Sequence, residues 1–246
     1  MGYNEFLAEQ QRNYESLQRQ QQETLRTGIE ADPILRERKG GFFLSLIHPI
    51  EVVNRVAALS RQIAELVPAV VCHPQDVHTT AGMLLDGSFG PDFYFDEGKP
   101  EHAESLKRAL KVAETVAERV VANSSGSIAF NGELFVTPRV IVAAGMPDEA
   151  QVNTFELVKQ IGEELGTPIK PAWGAHITIS RFIDRRNREE IGPLFDLLKR
   201  TSPIGVSIPV GISAGYTLWK KSECNCTDVR NTLVSFHGVK TFLFRH

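Results

Sequence analysis

Apolar residues recur along this chain at two spacings, and the changes between them mark its elements. Phe42-Phe43-Leu44-Ser45-Leu46-Ile47 is a short β-favouring run and predicts a buried strand. After Pro49, Val52, Val56, Leu59 and Ile63 form a stripe at helical spacing, predicting a helix to about Val67 that Pro68 ends. A strand near 75–85 follows. Leu106, Leu110, Val112, Val116 and Val120 predict a helix from about Glu101 to Val121, and Ser124-Ser125-Gly126 turns the chain into strands near 127–136 and 138–145. Asp148 with Gln151 three residues on reads as a capping box, opening a helix that Leu165-Gly166 closes. Asn187-Arg188-Glu189-Glu190 repeats that pattern before a helix to about Arg200. The tail reads as strands near 204–212, 214–220, 232–236 and 239–245, expected to complete the sheet of the second half.

Residues 1–38 differ from the rest. They are rich in Gln, Glu and Arg, all favourable in helices, with Leu7, Tyr14, Leu17 and Leu25 as sparse apolar points. They predict a helical extension before the main domain, 39–246. It would pack on that domain, provide a surface for self-association, or fray.

Inside the main domain the chain repeats itself. Shifted by the separation of His78 and His176, Phe43–Thr80 aligns with Ile141–Thr178 without a gap. Pro49 meets Pro147, Glu51 meets Glu149, Leu59 meets Leu157, and Arg61-Gln62-Ile63 meets Lys159-Gln160-Ile161. Glu65 meets Glu163, and both repeats end on His-x-Thr. In a strand, residues two apart project to one face, about 7 Å apart. Each repeat therefore offers an imidazole and a hydroxyl, His78 with Thr80 and His176 with Thr178, to a common surface. A neutral ring can activate water or a hydroxyl while a protonated one releases the leaving oxygen, and hydroxyls can hold anionic oxygens. That is equipment for moving a phosphate ester bond without metal.

With these motifs the chain resembles the two-histidine (2H) phosphoesterase superfamily, in layout from about Gly41 to Phe244. His176-Ile177-Thr178-Ile179-Ser180-Arg181 is the sharper match, because bacterial members related to RNA 2',3'-cyclic phosphodiesterases often carry an Arg at that place. The first motif departs, with Ala81-Gly82 before Met83-Leu84-Leu85 where members usually continue with an apolar strand. The resemblance implies an α+β fold: two pseudo-symmetric lobes of antiparallel sheet, interleaved in sequence, with helices on the outer faces and a central cleft. It implies a metal-independent phosphodiesterase acting on 2',3'-cyclic or 2'-5'-linked nucleotides or oligonucleotides. His78 and His176 would be catalytic, and Thr80, Thr178 and Arg181 would bind substrate. Simple alternation puts Arg181 on the face opposite His176, so a bulge or a strand end is needed to bring it to the cleft. The alternatives are an RNA 2'-5' ligase, a cyclic-oligonucleotide phosphodiesterase of the same superfamily, or a non-catalytic RNA- or nucleotide-binding module.

Composition narrows the partners. A net charge of −3 argues against coating long nucleic acid, which needs broad phosphate neutralisation, and favours a small nucleotide or short RNA. No apolar run approaches membrane-spanning length, and Met1-Gly2 is followed by neither a signal sequence nor the Ser or Thr of a myristoylation site. Three cysteines make no disulfide framework and suit a cytoplasmic setting. Neither Cys72-His73 with His78 nor Cys224-Asn225-Cys226 has zinc-site spacing, and no Walker or dinucleotide loop is present, so no metal and no cofactor is expected. Further substrate-binding candidates are Ser180, Tyr216 and Trp219, the last two as base-stacking or core aromatics. Residues 86–100, with Phe89, Phe93, Tyr94 and Phe95, read as a loop able to close over a base or to pack inward. Arg185, Arg186 and Arg188 read as a solvated turn or a phosphate-attracting rim.

Overall fold

The computed structural model describes residues 2–35, 40–84, 100–123, 126–132, 134–171, 174–219 and 234–244. Phe42, Leu44 and Leu46 of β1 (Gly40–Ile47) are buried on one face, with Phe43, Ser45 and Ile47 on the other. Around β1 forms a five-stranded antiparallel sheet with β2 (His78–Leu84), β7 (Ile169–Pro171), β10 (Gly211–Trp219) and β11 (Val234–Leu243), in the order β11-β10-β1-β2-β7. This is the first lobe. The second holds two three-stranded sheets. One is β4 (Leu134–Val136), β5 (Val140–Ala144) and β8 (His176–Arg181); the other is β6 (Met146–Pro147), β3 (Ile128–Phe130) and β9 (Gly205–Ser207), with β3 in the middle. The α+β architecture that the resemblance implies is therefore present.

The helices bind the lobes together by crossing between them. α2 (Ile50–Leu66), from the first repeat, packs on β8 of the second lobe, whereas α4 (Glu149–Glu164), from the second repeat, packs on β2 and β7 of the first. α3 (Pro100–Val121) lies across β1, β10 and β11, and α5 (Gly192–Arg200) packs on α2. Val56, Ile63, Val116, Val152, Ile177 and Ile179, all fully buried, meet in one continuous core. Because each repeat's helix covers the other repeat's strand, neither lobe has a complete core alone.

Three expectations are corrected. The C-terminal strands β10 and β11 complete the first lobe's sheet, not the second's, and β11 is one strand where two were expected. The last helix starts at Gly192, not at Asn187: Glu190 does reach back to the Asn187 amide at 2.9 Å, but this closes only a turn. Pro193 fits this start, since in the first turn its missing amide hydrogen would have no helical partner and its fixed φ suits the helix. The ungapped repeat also fails at its opening strands. The residue opposite His78 is Ile47 and the one opposite His176 is Ala144, so Ile47 corresponds to Ala144 and not to Gly145. One step reverses the faces of a strand, so pairing and burial decide register where sequence similarity is weak.

The extension is helical, as expected, and packs on the second lobe. α1 (Tyr3–Thr27) stacks Phe6 on Phe155 of α4 at 5.8 Å between ring centres, and sets Tyr14 and Leu17 against Phe135, Val142 and Ala144. Among the described residues no helix is long and apolar enough to cross a membrane.

Candidate active site

The two motif strands share one irregularity. In β2, Thr80 lies opposite Ser45 and Gly82 opposite Leu44, leaving Ala81 as an extra residue; in β8, Thr178 lies opposite Val142 and Ser180 opposite Ile141, leaving Ile179 extra. A β-bulge of this kind reverses the alternation beyond it. His78, Thr80 and Met83 therefore share one face of β2, and His176, Thr178 and Arg181 share one face of β8. The burial pattern agrees, since Ala81-Gly82 and Ile179-Ser180 are consecutive buried pairs, and Met83 is 40% exposed beyond the first. Gly82 belongs to the same geometry: a Cβ there would lie 2.5 Å from Ile169 Cγ2 and 3.2 Å from Val158 Cγ1, so its absence lets β7 and α4 close on β2. The departure of the first motif is thus the sequence trace of a bulge and a close approach.

Both imidazoles are held in one tautomer by the same local device. His78 Nδ1 donates to the carbonyl of Asp76 at 2.6 Å, and His176 Nδ1 to the carbonyl of Gly174 at 3.0 Å, each two residues upstream. A carbonyl can only accept, so Nδ1 carries the hydrogen and Nε2 is the nitrogen left for proton transfer in the neutral ring. Gly174 adopts φ +154°, and a Cβ on it would meet Gln10 Oε1 at 2.5 Å. That Oε1 accepts from the Ala175 amide at 3.2 Å, while Gln10 Nε2 and the Tyr14 hydroxyl donate to the Gly145 carbonyl. α1 therefore supports the backbone that delivers His176. Ile177 and Ile179, both fully buried, anchor the strand by about 2–3 kcal/mol each, against about 1 kcal/mol for a single hydroxyl bond.

The rings lie close enough to sense each other. His176 has its pKa lowered to about 4, chiefly by burial and further by His78 and Arg181, against the bond to Gly174. His78 is also lowered, again chiefly by burial, with Arg181 adding to it and Asp76 opposing. Its side chain is nonetheless open to solvent. Both rings are thus neutral at pH 7, below the ordinary imidazole range expected from sequence. Behind them the His48 ring is 2% exposed and lowered to about 3, by burial first and His78 second. For His48 and His176 the unfolded chain, titrating near 6.5, binds more protons than the native state between about pH 4 and 6.5, so stability rises with pH across that window. The urea midpoint is expected to be flat above pH 7 and to fall steadily from pH 6.5 to 4.5; a midpoint unchanged over that range would contradict the burial of these rings.

Arg181 has a fixed partner. Its Nη1 pairs with Asp32 Oδ2, from the segment after α1, where Asp32 is 6% exposed and its amide donates to the Phe182 carbonyl at 2.8 Å. Gln10 at the start of β8 and Asp32 at its end are thus two residues of the N-terminal segment holding one motif strand. On the first lobe the place of Arg181 is taken by Met83, and Lys170 of β7, opposite Met83 in register, brings an exposed ammonium to that wall. Sequence reading missed Asp32, His48, Met83 and Lys170. Met83 stands at the repeat spacing from Arg181, but the others carry no local signal.

Two weaker candidates are corrected. Ser180 is 2% exposed and donates to the Val70 carbonyl at 2.6 Å on the face opposite His176, because the bulge that turns Arg181 to the cleft turns Ser180 from it. Tyr216 is fully buried and packs on Phe42 at 4.9 Å, so it belongs to the first lobe's core. Trp219 closes β10, and its side chain lies outside the described residues, as do the loop 85–99 and Cys224 with Cys226. Arg186 pairs with Asp184 and Glu190, and Arg188 with Glu189, so acidic neighbours offset this turn. Among the described residues no three His, Cys, Asp or Glu side chains gather where a metal ion would be held.

Neither a protein-family model nor a curated protein matches the sequence. Solved structures do. TT0787 of Thermus thermophilus is 17% identical, with TM-score 0.50, over 83% of this chain and 98% of that one. E. coli LigT complexed with phosphate is 10% identical, with TM-score 0.45, over 85% of this chain and 100% of that one. LigT complexed with 3'-AMP is 9% identical, with TM-score 0.45, over 85% and 99%. At such identities the likeness concerns fold alone. The chain shares an α+β fold with TT0787.

Proposed function

We propose that the cleft between β2 and β8 catalyses phosphoryl transfer, as a metal-independent phosphodiesterase acting on 2',3'-cyclic or 2'-5'-linked nucleotides or short oligonucleotides. The observation that carries the reading is the matched pair of Nδ1–H···O=C bonds on His78 and His176, with Arg181 on the same face as His176. One ring takes a proton at Nε2 from the attacking water as its oxygen bonds to phosphorus. The other, protonated, gives its Nε2 proton to the ribose oxygen as the phosphorus–oxygen bond breaks. The products are a phosphomonoester and a ribose hydroxyl, and exchange with solvent resets the rings. Thr80 and Thr178 donate to the non-bridging oxygens, and Arg181 offsets charge developing on them.

Neutral rings at rest do not conflict with this. An anionic phosphodiester offsets the cationic field of Arg181 and raises the proton affinity of the imidazole beside it, supplying the acid when substrate is bound. The same groups serve ligation if a ribose hydroxyl replaces water. Small substrates suit the net charge of −3, and three cysteines suit a cytoplasmic setting.

A substrate panel with EDTA throughout tests the reading: 2',3'-cyclic nucleotides, 2'-5' and 3'-5' dinucleotides, cyclic dinucleotides, and oligonucleotides ending in a cyclic phosphate mixed with 5'-hydroxyl ends. The expected result is a phosphomonoester from a cyclic or 2'-5' substrate. Joined oligonucleotides would redirect the assignment to a ligase. Tight binding without product would make the chain a binding module, and loss of turnover with EDTA would end the metal-independent mechanism.

A further inference from the structure

Behind the two motif strands, on the face turned from the cleft, runs a chain of hydrogen bonds that joins four separate stretches of sequence. Thr79, between His78 and Thr80, is fully buried, and its Oγ1 donates to the backbone carbonyl of His176 at 3.1 Å. His48, just after β1, reaches the same Thr79 Oγ1 from Nε2 at 3.0 Å, and its Nδ1 meets Ser207 Oγ of β9 at 2.7 Å. The ring is fixed from the side by Phe130, edge-on at 5.6 Å.

The directions of these bonds follow from the one group that can only accept. The His176 carbonyl takes the Thr79 hydroxyl hydrogen, so Thr79 Oγ1 must accept from His48. His48 therefore carries its hydrogen on Nε2, and its bare Nδ1 accepts from the Ser207 hydroxyl. This is the opposite tautomer from His78 and His176, which carry theirs on Nδ1. Every polar atom of the buried chain has a partner, and its last bond ends on the backbone of the residue bearing the second imidazole.

We infer that Thr79 and His48 are positioning residues, a cross-lobe clamp that sets the distance between the His78 and His176 rings. The inference rests on the two-histidine reading proposed above. β2 and β8 belong to different sheets, so no ladder of backbone bonds fixes their spacing. The Thr79 bond does so at the middle residue of one motif and the first residue of the other. In-line proton transfer on both sides of a phosphorus needs that spacing held to a fraction of an ångström, and a small misplacement is costly in rate. Binding of substrate, through Thr80, Thr178 and Arg181, depends on it less.

The test uses the full chain and the substrate that wild type turns over fastest in the panel. Thr79→Val keeps the shape and removes the hydroxyl; it is expected to lower kcat ten- to a hundredfold with KM changed less than threefold. Thr79→Ser, which restores a hydroxyl, is expected to recover kcat to within about threefold of wild type. A merely structural role would lower both variants together with their stability, and that result, or an unchanged kcat in Thr79→Val, would overturn the inference. Nitrogen NMR of the imidazole-labelled wild type gives a readout independent of turnover. His48 should show hydrogen on Nε2 and His176 on Nδ1, with the His176 signals shifting in Thr79→Val. Hydrogen on His48 Nδ1, or unshifted His176 signals, would break the clamp. Should the wild type turn over nothing in the panel, the functional reading fails, while the spectra still decide the clamp.

Discussion

Alanine in place of His176 or His78 is expected to reduce kcat/KM by at least a hundredfold on the protein's best phosphodiester. General acid and base groups of this kind contribute about 10²–10⁴-fold each. The loss should fall mainly on kcat, because in the proposed mechanism the phosphate is held by Thr80, Thr178 and Arg181 and not by the rings. The two rings serve one reaction from opposite ends, so their effects should not multiply: the double variant should be about as impaired as the worse single one. Folding should survive, since each ring is held by one bond to a carbonyl two residues away while Ile177 and Ile179 anchor β8. Steady-state kinetics of the two single variants and the double variant check this. A His78→Ala protein within threefold of wild type would remove the first lobe from the mechanism.

Arg181→Met is expected to cost about 10²–10³-fold in kcat, the range for removing one donor aimed at developing negative charge. This substitution gives β8 the side chain that β2 carries at the equivalent place, Met83, so it tests whether the asymmetry between the strands matters. It has a second consequence. Asp32, whose side chain is 9% exposed, loses the cation that pairs with it, and an uncompensated buried carboxylate destabilises by up to about 3 kcal/mol. The double variant Arg181→Met with Asp32→Asn should regain most of that stability and none of the activity. Urea midpoints and kcat measured on the same three proteins separate the two effects. Recovery of activity in the double variant would show that Arg181 acts only as a partner for Asp32.

Much of the candidate site could be read from the chain because its geometry is local. His78 with Thr80 and His176 with Thr178 needed only the two-residue period of a strand, and the pins on their rings come from carbonyls two residues upstream. Arg181 was harder. Its residue type was visible, but its face depended on an extra residue in the ladder, and Ile179 becomes extra only because Thr178 and Ser180 pair with consecutive residues of β5. Ser180 was misplaced for the same reason. Tyr216 stands on a strand whose period shows that it alternates but not which face meets the core; the packing of α3 on β10 decides that.

What the sequence alone determined is the set of features whose cause lies within a few residues or in its own repetition: the motif strands and the helices of the two repeats, the helical start of the chain, and the pairing of His78 with Thr80 and of His176 with Thr178 on one face of each motif strand. Tertiary structure decided which strands became neighbours, sending β10 and β11 to the first lobe, exchanging α2 and α4 between lobes, laying α1 on β4 and α4, and bringing Gln10 and Asp32 to the two ends of β8. It also brought Asp32 to Arg181 and His48 to Thr79, pairs separated by 149 and 31 residues. The physical reason is that backbone periodicity is a property of adjacent residues, whereas pairing and burial are chosen among all the surfaces the chain presents to itself.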